Sequence, residues 1–137
     1  MGLTAEQQHV MHCMLTGRQG GRLICFGSAG TGKSYLIREI MNTFGSTILA
    51  APTGRAATII GGSTIHKLFG IPSTDPINPN FEDNPVHRQR FKDPACRYFG
   101  GGRKEVLQKC SWIVLDEIGM VRCDHLDFIE AALRKAR

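Results

Sequence analysis

Gly27-Ser28-Ala29-Gly30-Thr31-Gly32-Lys33-Ser34 is the stretch that decides the fold of this chain. It matches G-x-x-x-x-G-K-[ST], the phosphate-binding P-loop. The chemistry explains the spacing. Glycines permit tight turns in which successive backbone N–H groups face one concavity and hold phosphate oxygens. The N-terminus of the helix that follows adds positive partial charge there. Lys33 is the side chain expected to reach the β- and γ-phosphates of ATP, and the Ser34 hydroxyl is expected on Mg²⁺. Gly27, Ser28, Ala29, Gly30, Thr31, Gly32, Lys33 and Ser34 are all candidate nucleotide contacts. The flanks fit this reading. Residues 22–26, Arg-Leu-Ile-Cys-Phe, read as a short buried strand entering the loop. Residues 35–41 read as an amphipathic helix leaving it, with Gly45 as its stop. The plain alternative is a glycine-rich turn with an incidental lysine.

Outward from the loop, 137 residues with 42% hydrophobic content suit one globular domain. No apolar run approaches the length of a membrane-spanning helix, so no membrane partner is expected. The N-terminus lacks a basic segment followed by an apolar one, and Glu6 breaks the myristoylation pattern. The five cysteines are odd in number and form no C-x-x-C, which points to reduced thiols in an intracellular protein. A zinc site from Cys110, Cys123 and His125 would lack the usual tight paired spacing. The net charge of +5 is concentrated. In residues 85–110, Arg88, Arg90, Lys92, Arg97, Arg103, Lys104 and Lys109 stand against Asp93 and Glu105 alone. This stretch is either a solvated loop with a basic helix end or a contact for a polyanion.

The remaining segments alternate between strand-like and helix-like patterns. Residues 4–15 read as a helix with Thr4 and Gln7 forming a capping box and Val10, Met11, Met14 and Leu15 on one face. Gly17 ends it. Residues 46–51 read as a buried strand stopped by Pro52, and 53–60 as a short helix ending at Gly61-Gly62. Residues 63–69 look helical with Ser63 or Thr64 as cap. An irregular basic insertion runs over about 70–103, a length that is uncommon without a functional reason. Residues 103–109 form a possible helix. Trp112-Ile113-Val114-Leu115 leads as a third buried strand into Asp116-Glu117. Asp124 is expected to cap a last helix with Leu126, Ile129 and Leu133 inward. This order predicts an α/β, three-layer P-loop NTPase with a mostly parallel sheet.

Asp116-Glu117 forms the second nucleotide motif. Carboxylates at the C-terminal end of a buried strand lie on the ligand-binding edge of such a sheet. Asp116 is expected to hold Mg²⁺ through water, and Glu117 to orient and deprotonate the water that attacks the γ-phosphate. Lys33, Asp116 and Glu117 are therefore the catalytic candidates, with Ser34 and Asp116 as metal ligands. No Asn-Lys-x-Asp base-reading motif appears, which argues against a GTPase.

At this point the chain resembles the Pif-type and RecD-like helicases of superfamily 1B. Leu3-Thr4-Ala5-Glu6-Gln7 is similar to that family's adenine-reading Q motif, and residues 27–34 match its first motif in full. Ala51-Pro52-Thr53-Gly54-Arg55-Ala56-Ala57 resembles motif Ia. Gly61-Gly62-Ser63-Thr64-Ile65-His66-Lys67-Leu68-Phe69-Gly70 resembles the DNA-contacting segment that follows. Leu115-Asp116-Glu117-Ile118-Gly119-Met120-Val121 resembles motif II, with Gly119 where the family usually has Ser. The double glycine before Thr64 favours the Pif type. The resemblance implies an ATP-driven motor moving 5′ to 3′ on single-stranded DNA, acting in DNA repair, recombination and telomere maintenance. It implies ATP and Mg²⁺ as cofactors and Gln7 as an adenine contact. It also implies Pro52, Thr53, Gly54, Arg55, Thr64 and His66 as DNA contacts. Phe69 and the Tyr98-Phe99 pair are candidates for base stacking, with core packing as the stronger reading for Phe69.

The resemblance further implies a RecA-like sheet that is incomplete at its C-terminal side. The family's sensor strand, second RecA-like domain and γ-phosphate arginines have no counterpart in residues 1–137. The chain is thus expected to be a partial ATP-binding domain truncated after motif II and nearly inactive alone. Single-stranded DNA and the missing remainder of the helicase are its expected partners. The nucleus, a mitochondrion, or a bacterial or phage cytoplasm fit equally. Residues 22–26 and 112–116 should lie about 10 Å apart rather than the 4.8 Å or so of paired strands. Residues 46–51 should pair on the far side of 112–116. Two rival readings are a standalone P-loop module without turnover and a small-molecule phosphotransferase.

Overall fold

A computed structural model describes residues 2–17, 21–71 and 103–136. It divides into two units, Met1–Gly45 and Ser46–Arg137.

The first unit begins with helix α1, Ala5–Thr16, and local chemistry sets both of its ends. Thr4 Oγ1 accepts from the Gln7 N–H at 3.3 Å while Gln7 Oε1 accepts from the Thr4 N–H at 3.0 Å, completing the expected capping box. Gly17 closes the helix at φ 61°, donating its N–H to Cys13 O. The inward stripe is Gln7, Met11 and Met14. Leu15, expected inward, is 65% exposed, because the stripe follows i, i+4, i+7 from Gln7. Helix α2, Lys33–Thr43, starts directly at the end of the loop and buries Leu36, Ile37 and Ile40. It ends on Phe44 rather than on Gly45. Residues 22–26 correct the sequence reading more seriously. They form no strand, and Ile24 and Phe26 are 63% and 90% exposed. Their largely apolar composition, with Ile24 and Phe26, has the propensity, but a strand needs a lateral partner.

The second unit is built on a parallel sheet. Strand β1, Thr47–Ala51, lies between β2, Ser63–Thr64, and β3, Trp112–Leu115, in the order β2-β1-β3. Both pairings are parallel, with Ala50 opposite Ser63 on one side and Leu115 on the other. The expected pairing of residues 46–51 with 112–116 therefore holds. Among the described residues the sheet contains no strand from 22–26. A central parallel strand is covered on both faces, which is why Leu49, Ala50 and Ala51 are all buried.

Helix α3, Gly54–Ile60, connects β1 to β2, capped by Thr53 and closed by Gly61 at φ 70°. Gly62 then passes so close to β1 that a Cβ there would sit 2.5 Å from Leu49 O. The double glycine thus has two physical jobs, a left-handed turn and a close strand approach. Residues 63–69 hold the expected helical turn with Thr64 as its cap, preceded by a short strand that was not expected. Ser63–Thr64 pair with β1 first, and Thr64 then caps the short helix α4, Ile65–Phe69.

Helix α5, Arg103–Lys109, precedes β3, and α6, Cys123–Ala136, follows it. The core joins Ala50, Ile65, Phe69, Leu107, Phe128, Ile129 and Ala132, with Ile113, Leu115 and Leu133 packed around it. Phe69 is a core residue, 2% exposed. Fully burying a side chain such as Phe128, Ile65 or Leu107 contributes about 1.5–3 kcal/mol. Asp124 lies in the first turn of α6 rather than at the cap. The first helical bond runs from Leu126 N–H to Arg122 O, and Asp124 instead accepts two bonds from the Arg122 guanidinium. Leu126, expected inward, is 40% exposed, since the buried stripe is His125, Phe128, Ile129, Ala132 and Ala136. Most of the basic insertion, including Tyr98 and Phe99, lies outside the described residues.

Candidate functional site

The P-loop sits between residue 26 and α2, and its shape follows from its glycines. Gly30 and Gly32 hold φ 79° and 83°, values that side-chain-bearing residues rarely adopt. Thr31 Oγ1 folds back to donate to Ser28 O at 2.8 Å, drawing the loop tight. A Cβ at Gly27 would stand 2.6 Å from that hydroxyl, so a side chain at position 27 would displace Thr31 Oγ1 from its bond. Lys33 Nζ donates to Gly27 O at 2.6 Å and to Ser28 O at 2.7 Å. An ammonium carries three donors, so one remains for an incoming phosphate oxygen. Ser34 and Ala29 are exposed beside it.

Gln7 is tied to this loop. Its Nε2 donates to Gly32 O at 3.2 Å and, at 3.5 Å, more weakly to Thr31 O. Its Oε1 meanwhile serves the Thr4 cap. The same side chain crosses close over Gly32, where a Cβ would meet Nε2 at 2.7 Å. The sequence marks Gln7 as a cap and, by resemblance, as an adenine reader. The staple onto the loop had no local signal, because its partners lie 24 and 25 positions away. Both N–H groups of the amide are engaged in these bonds, and one lone pair of Oε1 remains. Next to the loop, burial of the thiol raises the pKa of Cys25, and the neighbouring Cys13 adds to the shift. The thiol is thereby kept protonated and weakly nucleophilic.

In the second unit, the Asp116 N–H bonds to Ala50 O at 2.9 Å, extending the ladder past the end of β3. The chain then turns sharply. Glu117 has φ 55° and ψ 40°, and among the described residues it is the one non-glycine with positive φ. A left-handed conformation costs an L-residue about 1–2 kcal/mol. It is held by two bonds: Glu117 N–H to Asp116 Oδ1 at 2.9 Å, and Met120 N–H to Glu117 O at 2.9 Å. The second belongs to a 3-10 turn over Ile118–Met120. The turn lifts the Glu117 side chain into solvent while Asp116 stays half-buried. A Cβ on Gly119 would meet nothing within 4 Å, so glycine is not a steric requirement at that position.

Parallel strands end on one edge, so β1, β2 and β3 deliver their C-terminal residues to the same side of the sheet. Pro52 and Thr53 follow β1, Thr64 ends β2, and Asp116-Glu117 follows β3. Thr53 Oγ1 accepts from Ala56 N–H at 3.2 Å and Thr64 Oγ1 from Lys67 N–H at 3.1 Å. Each hydroxyl keeps its own O–H to donate. Gly54 and Arg55 are exposed at the start of α3. His66, half-buried in α4, meets the ring of His125 edge to face, with centroids 5.2 Å apart. Within the first unit the structure thus joins Gln7, Gly27, Ser28, Thr31, Gly32 and Lys33. Within the second it brings Pro52, Thr53, Thr64, Asp116 and Glu117 to one edge.

The sequence profile of the PIF1-like helicases matches residues 2–137. The chain belongs to the PIF1-like helicase family. It is 36% identical over 137 residues to the ATP-dependent DNA helicase PIF1 of Homo sapiens, covering 98% of this chain and 19% of that protein. It is 37% identical over 144 residues to the ATP-dependent DNA helicase RRM3 of Saccharomyces cerevisiae, covering 98% of this chain and 18% of that one. The chain therefore spans about a fifth of the length of these relatives. Among solved structures it is similar to the Pif1 helicase from Bacteroides in complex with ADP-AlF3 and single-stranded DNA. That match has a TM-score of 0.76 at 36% identity, over 99% of this chain and 28% of that one. Membership of the PIF1-like family accounts for the parallel α/β sheet and for the order of the motifs along it.

Proposed function

We propose that this chain is the ATP- and single-stranded-DNA-binding part of an ATP-dependent 5′–3′ DNA helicase. The observation that carries the reading is the shared sheet edge. Hydroxyl donors suited to a phosphate backbone stand at strand ends of one sheet, Thr53 two residues beyond β1 and Thr64 at the end of β2, and the third strand of that sheet leads into Asp116-Glu117. Contacts of hydroxyls and helix starts to phosphate fix position without reading bases. A motor stepping along any strand needs that property. Relatives named ATP-dependent DNA helicases, and a Bacteroides Pif1 bound to ADP-AlF3 and single-stranded DNA, support it.

In this reading Gly27, Ser28, Ala29, Gly30, Thr31, Gly32 and Lys33 cradle the phosphates of ATP, and Gln7 contacts adenine through the Oε1 lone pair that remains and, on releasing its 3.5 Å bond to Thr31 O, one N–H. Ser34 and Asp116 are hard oxygen donors suited to Mg²⁺, which supplies charge neutralisation at the phosphates. Glu117 orients and deprotonates the attacking water. Pro52, Thr53, Gly54, Arg55, Thr64 and His66 line the path of the DNA backbone.

The test is nucleotide hydrolysis by the full-length protein with and without single-stranded DNA. Stimulation by DNA supports the motor. Binding without turnover would favour a nucleotide-holding module, and stimulation by a small acceptor alone would favour a phosphotransferase. DNA affinity should fall with salt by a slope of about −0.7 in log K per neutralised phosphate.

A further inference from the structure

We infer that His125 is a positioning residue for the nucleic-acid contact made by His66, an inference that rests on the DNA role proposed for His66. His66 lies in α4, a helix of five residues whose flanking side chains Ile65 and Phe69 are both in the core. Its own carbonyl accepts N–H bonds from Gly70 and from Ile71, the latter at 3.0 Å. The backbone of His66 is therefore fixed, and the freedom left to it is rotation of the imidazole. That rotation meets the His125 ring, at an interplanar angle of 87° and a centroid separation of 5.2 Å.

His125 is well placed to act as the wall. It is 7% exposed and lies on the stripe of α6 that also buries Phe128, Ile129 and Ala132. Each of those neighbours is at most 3% exposed, so the ring cannot swing away without opening the core. Edge-to-face contact is the preferred geometry of aromatic pairs, because the positive edge of one ring meets the negative face of the other. The contact holds the His66 imidazole in one orientation before any ligand arrives. A side chain already held does not lose rotamer freedom on binding, and that saving corresponds to about a two- to tenfold gain in affinity. His125 touches no nucleic acid in this scheme. It acts through His66.

The experiment compares the full-length protein with His125→Leu, His125→Phe, His66→Ala and the double variant His66→Ala/His125→Leu. Single-stranded DNA affinity is read by fluorescence anisotropy and Mg-ATP affinity by calorimetry. His125→Leu keeps a buried apolar side chain but removes the ring contact, and should weaken DNA binding about two- to tenfold with ATP affinity unchanged. His125→Phe restores a ring edge and face and should bind DNA as the natural protein does. In the His66→Ala background, His125→Leu should have no further effect. His125→Gln replaces His125→Leu in the same comparisons should the leucine variant fail to fold. An equal loss in the His66→Ala background would overturn the inference, showing that His125 acts through general packing. Unchanged DNA affinity in His125→Leu, while His66→Ala loses affinity, would overturn the inference and leave the DNA role of His66 standing. Unchanged affinity in His66→Ala would overturn both.

Discussion

Gln7→Glu separates the two tasks that the structure assigns to one side chain. A glutamate keeps an oxygen for the Thr4 N–H, now 3.0 Å from Oε1, so the cap of α1 survives. It has no N–H for Gly32 O, and a carboxylate would face that carbonyl, 3.2 Å from the present nitrogen, and Thr31 O at 3.5 Å. Gly32 O still accepts from Leu36 N–H at 2.9 Å, so it is not orphaned. The loss is then one net hydrogen bond of about 1 kcal/mol, with carboxylate–carbonyl repulsion of similar size. The total of about 1–3 kcal/mol falls on the loop and should weaken nucleotide binding roughly five- to 150-fold. Gln7→Ala removes both arms and should in addition lower helix stability by about 1 kcal/mol. Calorimetric titration of each variant with Mg-ATP and Mg-GTP, alongside thermal melts, reads the two arms separately. The loop arm weakens both nucleotides equally, and any excess loss with ATP over GTP measures the adenine contact. If Gln7→Glu melts normally and binds both nucleotides as tightly as the natural sequence does, the staple has no bearing on the loop and the reasoning fails.

Lys33→Ala should weaken Mg-ATP binding by about 2–3 kcal/mol, the scale of a charge-assisted bond to phosphate, as read by calorimetry. Glu117→Gln should abolish hydrolysis in a phosphate-release assay while ATP binding persists, because the amide cannot take a proton from water. Gly62→Ala should destabilise the fold by about 1–3 kcal/mol in a denaturant titration, since its Cβ would collide with backbone atoms that cannot yield. A variant as stable as the natural chain would show that β1 and β2 can part at no cost.

The parts of the fold legible in the sequence are those set by neighbours along the chain. Thr4 and Gln7 announce α1, Thr53 announces α3, and Gly17, Gly61 and Gly70 end their helices in left-handed turns. The misread parts depend on distant partners. Residues 22–26 have strand composition, yet Phe26 stays 90% exposed because composition supplies no neighbour to pair with. Thr64 caps α4 as expected, but the pairing of Ser63 and Thr64 with Ala50 and Ala51 has no local signal. Leu15 and Leu126 are apolar, but the inward stripes are fixed by Gln7 and His125, polar residues that hydrophobic periodicity passes over. The candidate site divides in the same way. The loop and the Asp116-Glu117 pair were legible as motifs. The Gln7 staple, the left-handed turn at Glu117 and the His66–His125 contact needed coordinates, since each depends on geometry that no spacing rule records.

The left-handed turn at Glu117 stands at the end of a continuous backbone link between the strand ends. Asp116 is bonded through its N–H to Ala50 O, and Ala50 is followed by Ala51, Pro52 and the Thr53 cap. Ala51 also pairs with Thr64, the cap of α4. A displacement at the carboxylate pair therefore reaches both hydroxyl-bearing helix starts through backbone hydrogen bonds and covalent links alone. No flexible side chain intervenes. The paired ladder joins the three strand ends into one hydrogen-bonded block. The one backbone strain among the described side-chain-bearing residues, at Glu117, lies just beyond that block. It is also the point where the chain turns away from the sheet. A turn under strain can relax without breaking the ladder; under the proposed function, Glu117 is where a change at the nucleotide would alter local geometry while the strand ends keep their register.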